Sequence, residues 1–511
     1  MEQRFADLKQ RLAEINDLSR AGSLLAWDQR VMMPPAAAAV RGEQLATVTS
    51  IVHERFTSPE VGRLLDELRP YEESLPYESD EASLIRVARR DFEKATRVPG
   101  ELRGELARAS ASGYAAWQEA RARADFELLR PALERNVELR HRYVECFAPY
   151  DDPYDPLLDD YEPGMHAAEV TEVFDVLKPE LKAIVADVAR RDPVEAGFLA
   201  GSFPVGEQRQ FALRVLERFG FDPTSWRFDD TVHPFASSMA TTDIRLTSRY
   251  KPDRFDGLFA AMHEWGHGIY EHGVDPALER TPLARGVSMA LHESQSRLWE
   301  NLVGRSRPFW RFFYPQLQEA FPEQFGSVDE EAFYRAVNRV EPSFIRVEAD
   351  QVTYSLHIIL RYELERELFS GALDVRNLPD AWNARMADYL GITVADDAQG
   401  VLQDVHWSGG GFGYFPTYAL GNVVSLQVWE RMLQDIADVD EQFARGEFRP
   451  LADWLREHLY RFGRKFTPKE ALERVTGTAL DPAPYIRYLR RKVAEIYGAD
   501  ETPATVTAGV S

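Results

Sequence analysis

A single cysteine, Cys146, stands among 511 residues, so neither an intramolecular disulfide nor a cysteine-based metal cluster is available. No apolar run reaches the roughly 18–20 residues that a bilayer-spanning helix needs. The opening Met1-Glu2-Gln3-Arg4-Phe5-Ala6-Asp7 lacks the apolar core of a secretory signal. From these absences we expect a cytoplasmic protein. Basic clusters are missing as well: 60 lysines and arginines face 83 aspartates and glutamates, a formal net charge of −23. Such a surface repels phosphate backbones and anionic lipids, so neither nucleic acid nor a membrane is expected as a partner. Histidine is scarce, with 11 residues, which makes an ordered pattern of histidines informative.

What is present is a chain able to bury a large core, 44% hydrophobic and 12% aromatic. Apolar residues recur at three- and four-residue spacing in Phe5–Leu18, Leu102–Ala122, Phe126–Phe147, Val170–Ala189, Arg209–Phe219, Phe333–Val340, Val352–Leu368, Val423–Ala437 and Tyr485–Tyr497, the signature of helices. Gly220, Gly273 and Gly391 read as helix stops. Within His233–Tyr250 the alternation Asp243-Ile244-Arg245-Leu246-Thr247 reads as a strand. The expected fold is therefore mainly α with a small β element. The Pro- and Asp-rich stretch Pro149–Pro163 reads as a loop that marks a lobe boundary.

The segment Met262-His263-Glu264-Trp265-Gly266-His267 carries H-E-x-x-H after an apolar run. Residues four apart on a helix share a face, so two imidazoles there can converge on one zinc at ~2.0–2.1 Å each. Glu264, about 100° round the helix from His263, is placed to act on a metal-bound water as general base and not as a ligand. Two histidines in a largely apolar helix would be costly without a partner.

The third ligand must come from elsewhere. Glu271 lies ~12 Å along the axis from His263 at 1.5 Å per residue, and the metzincin continuation is absent, with Tyr270 and Gly273 at its key positions. Downstream, the polar run His292-Glu293-Ser294-Gln295-Ser296-Arg297 interrupts an apolar helical pattern. A helix polar all round suits passage through a buried polar site. Glu293 is the choice for the third ligand, with Glu300, Glu271 and Glu279 as alternatives.

The chain resembles the thermostable carboxypeptidase Taq family of metallopeptidases. The resemblance rests on His233-Pro234-Phe235; Asp243-Ile244-Arg245-Leu246-Thr247; His263-Glu264-Trp265-Gly266-His267; His292-Glu293-Ser294-Gln295-Ser296-Arg297; Ile345-Arg346-Val347-Glu348-Ala349-Asp350; Gly400-Val401-Leu402-Gln403-Asp404-Val405-His406-Trp407; and Gly413-Tyr414-Phe415-Pro416-Thr417-Tyr418. Trp27-Asp28, Met33-Pro34, Arg41 and Gln44 add to it near the start. It implies a neurolysin-like, angiotensin-converting-enzyme-like helical fold with a deep groove. One catalytic unit over residues 1–499 would form two lobes flanking that groove, followed by a flexible tail, 500–511. It also implies a homodimer that removes single residues from peptide C-termini with broad side-chain tolerance.

On this basis one zinc per chain is expected on His263, His267 and Glu293, with cobalt or manganese as substitutes. The resemblance gives His406 and Tyr418, and less strongly Tyr414, as donors to the oxyanion. It gives Arg346, with Arg245 second, as the fork that holds the substrate's terminal carboxylate. Asp404 is expected to orient His406 or a ligating imidazole. Two rivals are an endo-acting zinc oligopeptidase of the same fold and a non-catalytic helical peptide-binding protein.

Overall fold

The structure is a computed structural model that describes residues 1–498; the tail expected to be flexible, 500–511, lies outside the described residues. Each helix expected from periodicity is present, most of them longer than the pattern that announced it. The first runs over Glu2–Val31 (α1), and Val352–Leu368 falls in Thr353–Ser370. Further helices were not expected, among them Asp80–Arg97 and Arg307–Ala320, which do bury an apolar face, and one that buries none. Ala38–Phe56 (α2) has no buried residue at all. It lies along α1, fastened by Arg41, which donates to Asp28 Oδ2 at 2.7 Å and to the Leu25 carbonyl at 2.9 Å.

Gly220 and Gly391 end their helices with φ of 118° and 69°, left-handed values that favour glycine. Gly273 plays a different part. It is the last residue of Gly257–Gly273, and a Cβ there would lie only 2.6 Å from Tyr460 Cβ and Cδ2. Close packing, and not backbone conformation, explains that glycine.

The β element is a three-stranded sheet in the order β1-β3-β2, from Trp226–Asp230 (β1), Ala236–Ala240 (β2) and Asp243–Ser248 (β3). β1 runs parallel to β3 with Trp226 opposite Ile244; β2 runs antiparallel to it with Ala236 opposite Leu246. β1 was not expected from the sequence; its five residues are too few for a period to stand out.

The sheet lies between α1 and the helix Gly257–Gly273, which carries H-E-x-x-H. Trp265 is 1% exposed and stacks on Trp226 at 4.6 Å and 22°. A Cβ on Gly268 would lie 2.6 Å from Trp226 Cζ3 and 2.8 Å from Leu246 Cδ2, so only glycine lets the sheet lie this close. On the opposite side, a Cβ on Gly266 would meet the Gln295 carbonyl at 2.4 Å. That backbone belongs to Met289–Arg297, the helix of the polar run. The motif helix is thus clamped between sheet and ligand helix with a glycine at each contact.

The ligand helix is pinned at its start. The Ser288 side chain accepts from Leu291 N at 3.2 Å, and buried Glu162 accepts from Ala290 N at 2.9 Å. At its other end the helix widens into a π-helical turn, Leu298–Val303. A third helix, Pro416–Asp435, presses Gly421 against it, where a Cβ would sit 2.6 Å from Glu293 Cγ.

One continuous core runs from Val98 to Ile496. A smaller one joins Leu8, Leu12, Leu64 and Ile85 of the N-terminal helices to Val274, Leu278 and Leu283, just beyond the motif helix. Through it α1 reaches over the groove, where Arg20 donates to the Ser238 carbonyl at 2.6 Å and the Ala284 carbonyl at 2.7 Å. Among the described residues, no helix is long and apolar enough to cross a membrane.

Candidate metal centre

Three consecutive features of local structure bring the site together. A helical turn separates His263 from His267, so both rings leave one face of the motif helix; their centroids are 4.9 Å apart. Gly266 admits the ligand helix, and Gly421 holds Glu293 from behind. The result is that Glu293 Oε2 stands 3.6 Å from His263 Nε2 and 3.5 Å from His267 Nε2. One ligating atom from each of the three lies within 4.8 Å of the others. Ligands ~2.1 Å from a tetrahedral ion are about 3.4 Å apart, so the donor set fits a single divalent cation. Glu279 lies elsewhere, accepting from Thr241 N, and Glu271 and Glu300 sit one layer outside the triad.

Each triad member has a partner turned away from the centre. His263 Nδ1 lies 3.0 Å from Glu300 Oε2, and His267 Nδ1 lies 2.9 Å from His292 Nδ1. Arg297 Nε donates to Glu293 Oε1 at 2.7 Å while its Nη1 reaches Glu300 at 3.3 Å. The π-helical turn carries Glu300 to this position, three residues beyond Arg297. Burial would raise the Glu293 carboxyl, yet Arg297 and the two imidazoles hold it well below the usual carboxylate range. Glu264 has no such guanidinium. Burial, reinforced by the charges of Glu293 and Glu300, pushes its carboxyl up to about 7. A carboxyl group so poised can both take and return a proton near neutrality.

The centre opens into a groove of ≈ 1250 Å³. Its walls include Glu264, Tyr354, Tyr414, Tyr418 and Arg346. Arg346 is 5% exposed and its fork is partly engaged: Nε and Nη2 donate to Asp404 Oδ1 at 3.1 and 2.8 Å, and Nη1 to Tyr354 OH at 3.0 Å. Three of the five N–H groups of a guanidinium are thereby used, and two are spare. Asp404 also takes Arg361 Nε at 2.6 Å, so the two arginines enclose one carboxylate.

The other expected residues are distributed unevenly. His406 is not among the groove-lining residues; its ring is 5.4 Å from that of Tyr414 and 6.4 Å from that of Tyr418, with Nδ1 buried and 3.9 Å from Asp404 Oδ1. Asp404 spends its oxygens on the arginines rather than on a ligating imidazole. Arg245 turns away from the groove: strand alternation sends it toward α1, where it pairs with Asp243 and lies 4.5 Å over the Trp27 ring. An expected carboxylate anchor there is replaced by a link between β3 and α1.

Sequence reasoning missed Arg361. Apolar residues dominate the pattern of the helix Thr353–Ser370, but Thr353, His357, Arg361 and Glu365 recur every fourth position and are all fully buried. That polar stripe was the available signal. It holds the loop that carries Asp404: Glu365 accepts from Trp407 Nε1 at 2.6 Å and Gly413 N at 2.9 Å.

A family model described as carboxypeptidase Taq (M32) metallopeptidase matches residues 7–493. Thermostable carboxypeptidase 1 of Thermus thermophilus is 42% identical, over 94% of this chain and 96% of that protein. A crystal structure of an M32 carboxypeptidase from Deinococcus radiodurans superposes with a TM-score of 0.94 at 41% identity, covering 97% of this chain and all of that one. Metallocarboxypeptidase 1 of Trypanosoma cruzi gives 0.92 at 30% identity, covering 96% and 100%.

Proposed function

The chain belongs to the carboxypeptidase Taq (M32) metallopeptidase family and is a metallocarboxypeptidase; from that premise we propose how its residues divide the work. His263, His267 and Glu293 hold the ion, and zinc is the metal that two imidazoles and a carboxylate favour by default. When bound, the ion supplies Lewis acidity, drawing electron density from a carbonyl and easing the loss of a proton from water. Glu264 accepts the proton from the attacking water and returns it to the departing amine. Tyr418, with Tyr414 beside it, donates to the oxyanion from the groove wall, and His406 supports them through ring contact.

Arg346 reads the free C-terminus. Its two spare N–H groups face a carboxylate with the geometry of a fork, and Asp404 with Tyr354 keeps that fork from swinging. Removal of single residues with broad tolerance follows, because the specific contacts grip backbone and terminus and not the side chain. The observation that carries this reading is the convergence of three ligating atoms beside a buried proton acceptor on a groove that also displays Arg346. We further propose a cytoplasmic homodimer. Support for the dimer is the unburied α2, with Val40 and Ile51 exposed on it and Met32 exposed beside it; sedimentation equilibrium tests it.

The deciding experiment digests a peptide with and without a chelator, then restores zinc or cobalt, and follows the products by mass spectrometry. Ladders of single-residue loss that vanish on chelation and return with metal are expected. Internal fragments would assign an oligopeptidase, and undiminished trimming in a metal-free sample would remove the metal from the mechanism.

A further inference from the structure

The two ligating histidines are held from behind in different ways. His263 leans on a carboxylate, Glu300, directly. His267 leans on a second histidine, and that contact has only one consistent protonation pattern. An imidazole that offers Nε2 to a cation must carry its proton on Nδ1. His267 Nδ1 is therefore a donor, and the atom 2.9 Å away, His292 Nδ1, must be the acceptor. With Nδ1 bare, His292 carries its proton on Nε2. That atom lies 2.8 Å from Glu271 Oε1, a carboxylate oxygen that can only accept. The same oxygen takes the Gly286 N–H at 2.8 Å, which fixes the carboxylate in turn.

The His292 ring has little room to leave this arrangement. It lies 5.2 Å from the Tyr270 ring and 5.0 Å from that of His267. A Cβ on Gly286 would come within 2.6 Å of His292 Cδ2, so the glycine leaves the space that the ring fills. Glu271, one of the alternative third ligands, does not join the triad. One helical turn beyond His267, it is instead well placed to support His292.

We infer that His292 and Glu271 form a two-step relay that fixes His267 in its metal-accepting tautomer and thereby sets how tightly the ion is held. Both are positioning residues; neither touches the ion position. The inference rests on His263, His267 and Glu293 being the ligands, and its test separates the two ideas. Outer partners of metal-ligating histidines change affinity by about 10–100-fold when removed.

The probe is zinc ion, titrated into metal-depleted full-length protein against a chromogenic chelator. Glu293→Ala must abolish tight binding; if it does not, the ligand assignment itself fails. With that control in place, His292→Leu, which offers no acceptor, is expected to weaken zinc binding by about 10–100-fold. His292→Asn, whose carbonyl oxygen can stand where Nδ1 stood, is expected to recover most of the affinity. Equal weakening by both variants, or none by His292→Leu, overturns the relay. Should His292→Leu fail to fold, the parent protein still decides. Nitrogen-15 shifts of histidine-labelled, zinc-loaded protein must show His267 protonated on Nδ1 and His292 on Nε2, and the reverse pattern for His292 overturns the inference.

Discussion

Two polar clusters in the groove wall are unbalanced in opposite senses. Around the metal position, Glu293 and Glu300 pair with Arg297 and Arg305, Glu264 is buried without a guanidinium, and a nitrogen of each of two imidazoles lies beside the Glu293 carboxylate. Behind the wall at Arg346, that residue and the fully buried Arg361 face a single carboxylate, Asp404. Burial makes either imbalance costly if left to itself. The first cluster is short of a cation and the second of an anion. In the proposed function a metal ion completes one and the terminal carboxylate of a peptide completes the other, so the sign of the deficit would distinguish the resident group from the visiting one.

The comparison can be broken at several points. Glu264→Gln should lower kcat by about 10²–10⁴-fold, the range for a lost general base, with one zinc per chain still found by elemental analysis. Loss of zinc in that variant would falsify the separation of base from ligand. Asp404→Ala attacks the other cluster, leaving two buried guanidinium groups without their counter-charge. A loss of about 3–5 kcal/mol is expected in urea unfolding of the metal-free protein, with zinc affinity unchanged; a parallel fall in affinity would mean the clusters are one unit.

The same aspartate gives a dependence on pH. The two arginines hold the Asp404 carboxyl far below its ordinary value despite burial. Its contribution is therefore complete above about pH 4 and is lost as pH falls, because the unfolded chain takes up the proton first. Between about pH 4 and 2 the parent should lose stability more steeply than Asp404→Asn, by up to about 1.4 kcal/mol per pH unit. Identical slopes would deny Asp404 that role.

Arg346→Ala sharpens the anion side. The preference for free over amidated C-termini, measured as a ratio of kcat/KM, should shrink by about 10–100-fold, a charge-assisted bond's worth. A variant that discriminates like the parent leaves the carboxylate to another residue. The smallest effect is expected from Gly421→Ala, which crowds Glu293 from behind. It should cost about 1–3 kcal/mol of stability and weaken zinc binding modestly, with kcat of the loaded enzyme little altered.

Much of this was legible in the residues because the candidate ligands lie on two short helical segments. His263, Glu264 and His267 occupy one turn, and Glu293 sits in a polar run that no exposed amphipathic helix would produce. The partners behind them were not legible, since they are defined by contacts between helices. Glu300 reaches His263 only because the backbone loosens into a π-helical turn, which leaves no mark in the order of residues. Arg361 was hidden inside a helix whose apolar pattern was the stronger signal. Arg245 was misplaced for a similar reason: a motif identifies a residue, but strand alternation decides which side it faces. Among the helices, α2 escaped notice because it buries nothing, and periodicity reports only on what is buried.

The glycines at 266 and 421 carry a consequence for anyone who would redesign this enzyme. They do not line the groove, yet the spacing of the three candidate ligands is gauged by their hydrogens, with less clearance than a methyl group requires. A saturation library should find position 266, where a Cβ meets backbone, nearly barren and position 421 closed to anything larger than alanine. Gly42 and Gly206, which have open space around them, should accept alanine and gain about 0.5–1 kcal/mol of helix stability. Distance from the substrate is therefore a poor guide to where this scaffold can be edited; clearance between backbones is the better one.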